Sequence, residues 1–277
     1  MESRVDVGAV CLNVDQVGSG SPSIIFLHGI TANRRVWDPV VAALSRHFTC
    51  ITVDQRGHGL SDKPATGYSA IEYSDDIRHL AETLSPTSGV YLVGHSLGAR
   101  NAIVAAQRFP TLIRGVIALD FVPFIETEVL DSLESRVLEG DTAFSSREEV
   151  EAYLQRRYVN LPPDAISRRA EFGYSESSPG RFTPLADAHA MAETVRGLRA
   201  DLEPFLTGLT VPAIIVRGEN SLLVSPAAFD KARSVNTRVA SAVIPHTDHY
   251  IPEVAPEVIG QLIKSFMTNR PLAPSSL

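Results

Sequence analysis

Val90-Tyr91-Leu92-Val93-Gly94-His95-Ser96-Leu97-Gly98-Ala99-Arg100 is the stretch from which the rest of the chain is read. Val90 to Val93 is an apolar run with the character of a buried strand, and it stops at Gly94. From Leu97 to Phe109, small and apolar residues recur at helical spacing. A strand, a tight turn and a helix therefore follow one another, with Ser96 at the bend inside Gly94-x-Ser96-x-Gly98. Glycine on both sides lets the backbone bend sharply, because a Cβ there would strike the neighbouring strand or helix. Such a bend lifts the serine hydroxyl above the carboxyl end of the strand. It also sets the hydroxyl beside the first N–H groups of a helix, where Leu97 N–H can donate to an oxyanion. An ordinary Gly/Ser turn is the competing reading, and the strand and helix around this one argue against it.

The same alternation runs outward in both directions. Residues 5–17 alternate apolar and polar, as in edge strands of a hairpin, and Gly18 to Pro22 is a turn. Ile24 to Leu27 reads as an interior parallel strand. A helix is predicted over 36–46, a strand over 49–53, and a glycine-rich loop from Asp54 to Pro64. A helix over 68–84 ends at Ser85-Pro86-Thr87-Ser88-Gly89. A buried strand over 113–119 closes on Asp120, and the next strand, 211–216, comes about ninety residues later. Predicted helices over 126–139, 147–158, 165–173 and 184–199 fill that interval. A helix over 226–235, a strand over 239–244 and a helix over 255–266 complete the chain, and 271–277 reads as a frayed tail. The expected class is α/β: a mostly parallel eight-stranded sheet flanked by helices. Residues 1–120 and 207–277 would form the core domain, and 121–206 a helical cap inserted after the sixth strand.

Bulk properties narrow the function. A chain of 277 residues with 44% hydrophobic content suits one large domain with a substantial core. A formal net charge of −7 argues against general affinity for nucleic acid or an anionic membrane. No apolar run approaches the ~20 residues that span a bilayer, and the N-terminus has no signal-peptide core, so a cytoplasmic location is expected. Cys11 and Cys50 read as small core residues. No metal-ligand spacing and no phosphate-cradling motif occurs, so no cofactor or metal is expected.

Between a buried strand and a helix, Gly-x-Ser-x-Gly is the nucleophile elbow of the α/β-hydrolase fold, whose catalytic residues follow the order serine, acid, histidine. His249, in the loop after the last strand, is the candidate base, whereas His246 lies too close to the strand end. Ile30 N–H, just past His28-Gly29, is the second candidate oxyanion donor. His28, Arg56 and His58 read as structural loop residues rather than proton carriers. The acid is less simple. The usual place is Gly-x-x-Asp after the seventh strand, and here it reads Gly218-Glu219-Asn220-Ser221. Asp120, at the carboxyl end of the sixth strand, is preferred as the acid. Glu219 and Asp248 remain alternatives. A serine at the elbow disfavours dehalogenation and epoxide opening, which use aspartate there. The cap has no lysine but several arginines, among them Arg136, Arg156, Arg157, Arg168 and Arg169. They either clamp an acidic substrate or pair with surface carboxylates.

Four stretches together carry a closer likeness: His28 to Thr31, Asp54 to Pro64, Val93 to Asn101, and Asp120-Phe121-x-Pro123-x-Ile125-Glu126-Thr127-Glu128. With the Arg217-Gly218-Glu219-x-Ser221-x-Leu223-Val224-Ser225 loop, the chain resembles the (E)-2-(acetamidomethylene)succinate hydrolases of bacterial vitamin B6 degradation. The resemblance implies a triad of Ser96, His249 and Asp120, with oxyanion donors at Ile30 and Leu97. It also implies that Arg136 and Arg157, with Tyr158 nearby, bind two substrate carboxylates. The implied reaction is cofactor-free hydrolysis of a small acidic N-acetyl enamine through an acetyl-enzyme. The competing readings are a carboxylesterase or lactonase of the same fold and a non-catalytic small-molecule receptor on a hydrolase scaffold.

Overall fold

The computed structural model describes residues 2–85 and 87–268. Pro86 in the predicted turn and the 271–277 tail lie outside the described residues. The first half of the chain contains β1 (Glu2–Asp6), β2 (Cys11–Val17), β3 (Ser23–Leu27), a 3₁₀ turn (Arg34–Trp37), α1 (Asp38–Leu44), β4 (Thr49–Val53) and α2 (Ala70–Leu84). Then come β5 (Val90–His95), α3 (Leu97–Arg108) and β6 (Ile113–Leu119). After β6 the chain forms α4 (Thr127–Glu139), α5 (Arg147–Arg157), α6 (Pro163–Gly173), β7 (Tyr174–Ser178), β8 (Arg181–Pro184), α7 (Ala188–Gly197) and α8 (Glu203–Thr207). The chain closes with β9 (Ala213–Gly218), α9 (Pro226–Val235), β10 (Ala240–Ile244), α10 (Ile251–Val254) and α11 (Pro256–Thr268).

Eight strands make one sheet in the order β1-β2-β4-β3-β5-β6-β9-β10. β2 runs antiparallel to both β1 and β4, and the other pairings are parallel. The interior strands are apolar on both faces because both are covered. Ile25, Leu27, Leu92 and Ile215 face a layer that includes α2, α3 and α9, whereas Ile24, Phe26, Val93 and Ile214 face α1 and α11. Helix starts follow local chemistry. Ser69 and Glu72 form a reciprocal capping box on α2, and Ser146, Asp187 and Ser225 accept from the first turns of α5, α7 and α9. Among the described residues no helix is long and apolar enough to cross a membrane.

Two local readings are corrected. The predicted helix over 36–46 is a 3₁₀ turn capped by Asn33, followed by α1, which ends at Leu44. The predicted helix over 184–199 starts only at Ala188, and residues 174–184 form a β-hairpin. The hairpin carries no period-2 signal because its residues are mostly exposed, so no buried face imposes alternation. Its turn is made by Gly180 at φ +69°, whose N–H donates to the Glu176 carboxylate at 2.8 Å.

The elements between β6 and β9 are tied to the sheet domain at several points. Val137 of α4 and Ala190, Met191 and Val195 of α7 pack with Tyr68, Tyr73 and Leu97. α5 and α6 bring their own small core of Val150, Leu154, Ile166 and Ala170. That core is joined to the sheet domain by polar links, including Asn33 Nδ2 to Phe172 O at 2.9 Å and Asn160 Nδ2 to Asp248 Oδ2 at 2.9 Å.

Candidate active site

The bend at Ser96 depends on two backbone contacts. A Cβ on Gly94 would lie 2.2 Å from Gly98 O, and one on Gly98 would lie 2.1 Å from Leu27 O. Only glycine lets α3 start this close to β5 and β3. Ser96 itself sits at φ +53°, ψ −115°, a left-handed conformation that non-glycine residues rarely adopt. Its N–H donates to Leu119 O at 2.8 Å, which anchors the bend to β6. Leu97 is the first residue of α3, so its N–H has no intrahelical acceptor. Ile30 lies in the turn after β3, where Ala32 N–H closes on Gly29 O at 3.2 Å and Thr31 takes φ +61°.

β5 and β6 are adjacent, and His95 is in register with Leu119, so Ser96 and Asp120 leave neighbouring strand ends. Asp120 is fully buried at φ +50°. His249 Nδ1 donates to its Oδ2 at 2.7 Å, and Gly218 N–H donates to its Oδ1 at 2.9 Å. Ser221 Oγ donates to the same Oδ2 at 2.5 Å, and it accepts from the N–H groups of Leu223 and Val224. The residue in the usual acid position thus serves as a hydrogen-bond donor to an acid on the next strand. Its loop is held by Arg217, whose guanidinium donates to the carbonyls of Glu219, Ser221 and Val224.

The two alternative acids point elsewhere. Glu219 accepts from His246 N–H at 2.8 Å, and Asp248 accepts from Asn160 and from Tyr250 N–H. His28 is buried, with Nε2 accepting from Gln55 N–H at 3.0 Å and Nδ1 donating to Gly29 O at 2.8 Å. Burial lowers its pKa to about 4. His58, whose ring centroid is 4.8 Å from that of His28, is lowered to about 3, also mainly by burial. Arg56 makes a two-bond pair with Asp76 and donates to Gly67 O. These three residues organise loops.

A cavity of about 500 Å³ is lined by Ile30, Ser96 and His249 of the sheet domain and by Arg136, Arg157 and Tyr158 from the elements between β6 and β9. Arg157 Nη2 donates to Arg136 O at 2.5 Å, which joins α5 to α4. Arg156 is exposed, and Arg168 pairs with Asp164, so neither lines the cavity. Arg169 does line it, although its guanidinium is engaged by Glu253 at 2.8 and 2.5 Å. It also lies 4.7 Å over the Tyr158 ring. Burial raises the Tyr158 pKa, but the positive charges of Arg169 and Arg157, with hydrogen bonds to Thr31 and Arg157, outweigh it and the net shift is downward. Tyr250, whose ring is 5.1 Å from that of Tyr158, also lines the cavity. In the sequence its one signal is adjacency to His249. Among the described residues no group of three or more His, Cys, Asp or Glu could hold a metal ion.

Comparison with known proteins places this geometry in context. A 2-(acetamidomethylene)succinate hydrolase from Mesorhizobium japonicum is 52% identical over 264 residues, covering 95% of this chain and 94% of that protein. The crystal structure of E-2-(acetamidomethylene)succinate hydrolase superposes with a TM-score of 0.94 at 51% identity, covering 97% of this chain and 99% of that one. A soluble epoxide hydrolase from Corynebacterium sp. is 29% identical over 273 residues, covering 90% of this chain and 91% of that protein. Residues 22–256 match the alpha/beta hydrolase fold family. A match of that reach, running from the first buried parallel strand past the histidine loop, makes this chain a member of the α/β-hydrolase fold family.

Proposed function

We propose that the chain hydrolyses (E)-2-(acetamidomethylene)succinate, with Ser96 as nucleophile, His249 as base, Asp120 as orienting acid, and 121–206 as a cap over the site. The carrying observation is a single cavity whose lining includes Ser96 and His249 together with Arg136 and Arg157. A small dicarboxylate bearing an acyl group fits that lining, with its anions held by the arginines and its carbonyl at Ser96. The 52% identity to the Mesorhizobium hydrolase supports the same substrate.

In this reading His249 takes the Ser96 proton as Oγ attacks the acetyl carbonyl, and Ile30 and Leu97 N–H hold the oxyanion. Collapse of the tetrahedral intermediate breaks the C–N bond, and His249 returns the proton to the departing nitrogen. The nitrogen lone pair is delocalised into the conjugated carboxylate, so it leaves more readily than an alkyl amine. Water, deprotonated by His249, then cleaves the acetyl-serine and releases acetate. The freed aminomethylene succinate tautomerises to an imine, loses ammonia by hydrolysis, and decarboxylates to succinic semialdehyde. Tyr158, beside Arg157 and Arg169, donates a hydrogen bond to one of the substrate carboxylates. We place the reaction in the cytoplasm.

Steady-state hydrolysis of (E)-2-(acetamidomethylene)succinate by wild type, Asp120→Ala and Arg157→Ala tests this. The aspartate change is expected to lower kcat by about two to four decades. The arginine change is expected chiefly to raise KM, by about ten- to a hundredfold. Turnover of neutral aryl acetates with no turnover of the dicarboxylate amide would replace this reading with a general esterase.

A further inference from the structure

We infer that His95, the residue between Gly94 and Ser96, is a positioning residue that fixes the backbone of His249. The inference rests on the assignment of Ser96 and His249 as nucleophile and base, and it gives a role to a side chain which that assignment leaves unused.

The problem His95 answers is set by topology. β6 and β9 lie between β5, which ends at the nucleophile, and β10, which leads into the histidine loop. Three strand spacings of ~4.8 Å make a lateral gap of about 14 Å. The loop must cross that gap and still deliver an imidazole to within hydrogen-bond reach of Ser96. Asp120 grips the ring at Nδ1 and sets its rotation. The neighbouring residues are held through His246 N–H to Glu219 and Asn220 N–H to Thr247 O, but neither bond reaches the main chain of His249 itself.

His95 supplies the second grip. Its Nε2 lies 2.6 Å from the carbonyl oxygen of His249. A carbonyl only accepts, so Nε2 carries the hydrogen and Nδ1 is bare. The two imidazoles also pack against each other, with centroids 4.7 Å apart and planes at 43°. The far side of the His95 ring is walled by the oxyanion loop, since a Cβ on Gly29 would sit 3.0 Å from Nδ1. One ring therefore belongs to the elbow, bonds and packs against the base, and faces the oxyanion turn closely enough to leave no room for a side chain at position 29. His95 is buried, and burial, with the neighbouring His249, holds its pKa well below the ordinary histidine value. It stays neutral and places no second positive charge beside the imidazolium that forms during catalysis. Gly218 permits the rest of the loop's approach, because a Cβ there would be 2.2 Å from Asp248 O.

Two amide variants separate positioning from space-filling. Glutamine extends an N–H to about where Nε2 stands, whereas asparagine reaches only to the place of Nδ1. His95→Gln should keep kcat within about threefold of wild type. His95→Asn should lose about ten- to a hundredfold in kcat with KM nearly unchanged, the scale expected when a catalytic group is displaced by about 1 Å. The rate of Ser96 labelling by a fluorophosphonate should fall in the same order, and melting curves should show both variants folded. Equal losses in Gln and Asn, or full activity in Asn, would overturn the inference. Labelling is independent of the natural substrate. A wild type that is labelled but leaves the dicarboxylate amide intact would sink the substrate assignment while the Gln/Asn ranking still decides the role of His95.

Discussion

Ser221 occupies the position where a relative with the common arrangement would carry its aspartate, and here its hydroxyl donates to Asp120 at 2.5 Å. Asp120 thus accepts from three donors: Gly218 N–H, Ser221 Oγ and His249 Nδ1. Removing one donor from a buried carboxylate costs about 1–3 kcal/mol. We expect Ser221→Ala to be destabilised by that amount and to lose about five- to tenfold in kcat. Urea melts and steady-state assays of one preparation check both numbers. Ser221→Asp should be worse than Ser221→Ala at neutral pH, because two carboxylates at hydrogen-bond distance do not both ionise readily and the orienting charge is compromised. Equal activity of the two variants would show that position 221 does not feel the charge on Asp120. At this scale the sequence was partly legible. Ser96 and His249 stand in recognisable surroundings, and the strand-end aspartate could be named because the usual acid was missing. The donor role of Ser221 and the contact from His95 Nε2 to His249 O were not legible, since each joins residues about 100 or more positions apart.

The elements succeed or fail on close approach. α3 starts where it does because Gly98 lets the Leu27 carbonyl approach so closely that an added Cβ would lie 2.1 Å from its oxygen. Gly98→Ala must separate α3 from β3, and with it Ser96 from the Ile30 turn. We expect a loss of about 1–3 kcal/mol in stability and a fall in kcat of at least a decade, read by chemical denaturation and by fluorophosphonate labelling. The link between α6 and α10 is a second such point. Arg169 and Glu253 are both buried and make two hydrogen bonds across 84 residues. Glu253→Gln leaves a buried guanidinium without its counter-charge, and about 3–5 kcal/mol of destabilisation is expected by denaturant titration. The parallel strands and amphipathic helices were readable because each has a buried face that imposes its period. The 174–184 hairpin was not, because a hairpin that buries little leaves no trace in apolar spacing.

At the level of the whole molecule, buried histidines make stability depend on pH. His28 and His58 are held near 4 and near 3, chiefly by burial, against about 6.5 in an unfolded chain. Between those limits the unfolded chain binds the extra protons, so stability is complete above about pH 6.5 and declines as the pH falls. By pH 5 the loss is about 2 kcal/mol for each group. Urea midpoints at pH 7.5 and pH 5.0 should differ accordingly, and His28→Gln should narrow the gap. Identical midpoints would mean that these imidazoles titrate alike in both states. The mostly parallel sheet flanked by helices was legible from the alternation of strand and helix. How the elements between β6 and β9 are fastened to the sheet domain was not, because Asn33, Asn160 and Arg169 look in sequence like ordinary surface polar residues.

The pairing of Asp120 with Ser221 has a practical consequence for sorting protein families. A search that demands aspartate after the penultimate sheet strand would file this chain among degenerate, inactive members. The His249 imidazole nevertheless meets a carboxylate, that of Asp120, which comes from one strand over. Chains with a hydroxyl at that spot are better triaged by asking whether the adjoining strand ends in a carboxylate. Those that do can be grouped by a carboxylate–imidazole contact that reaches the histidine loop from the neighbouring strand.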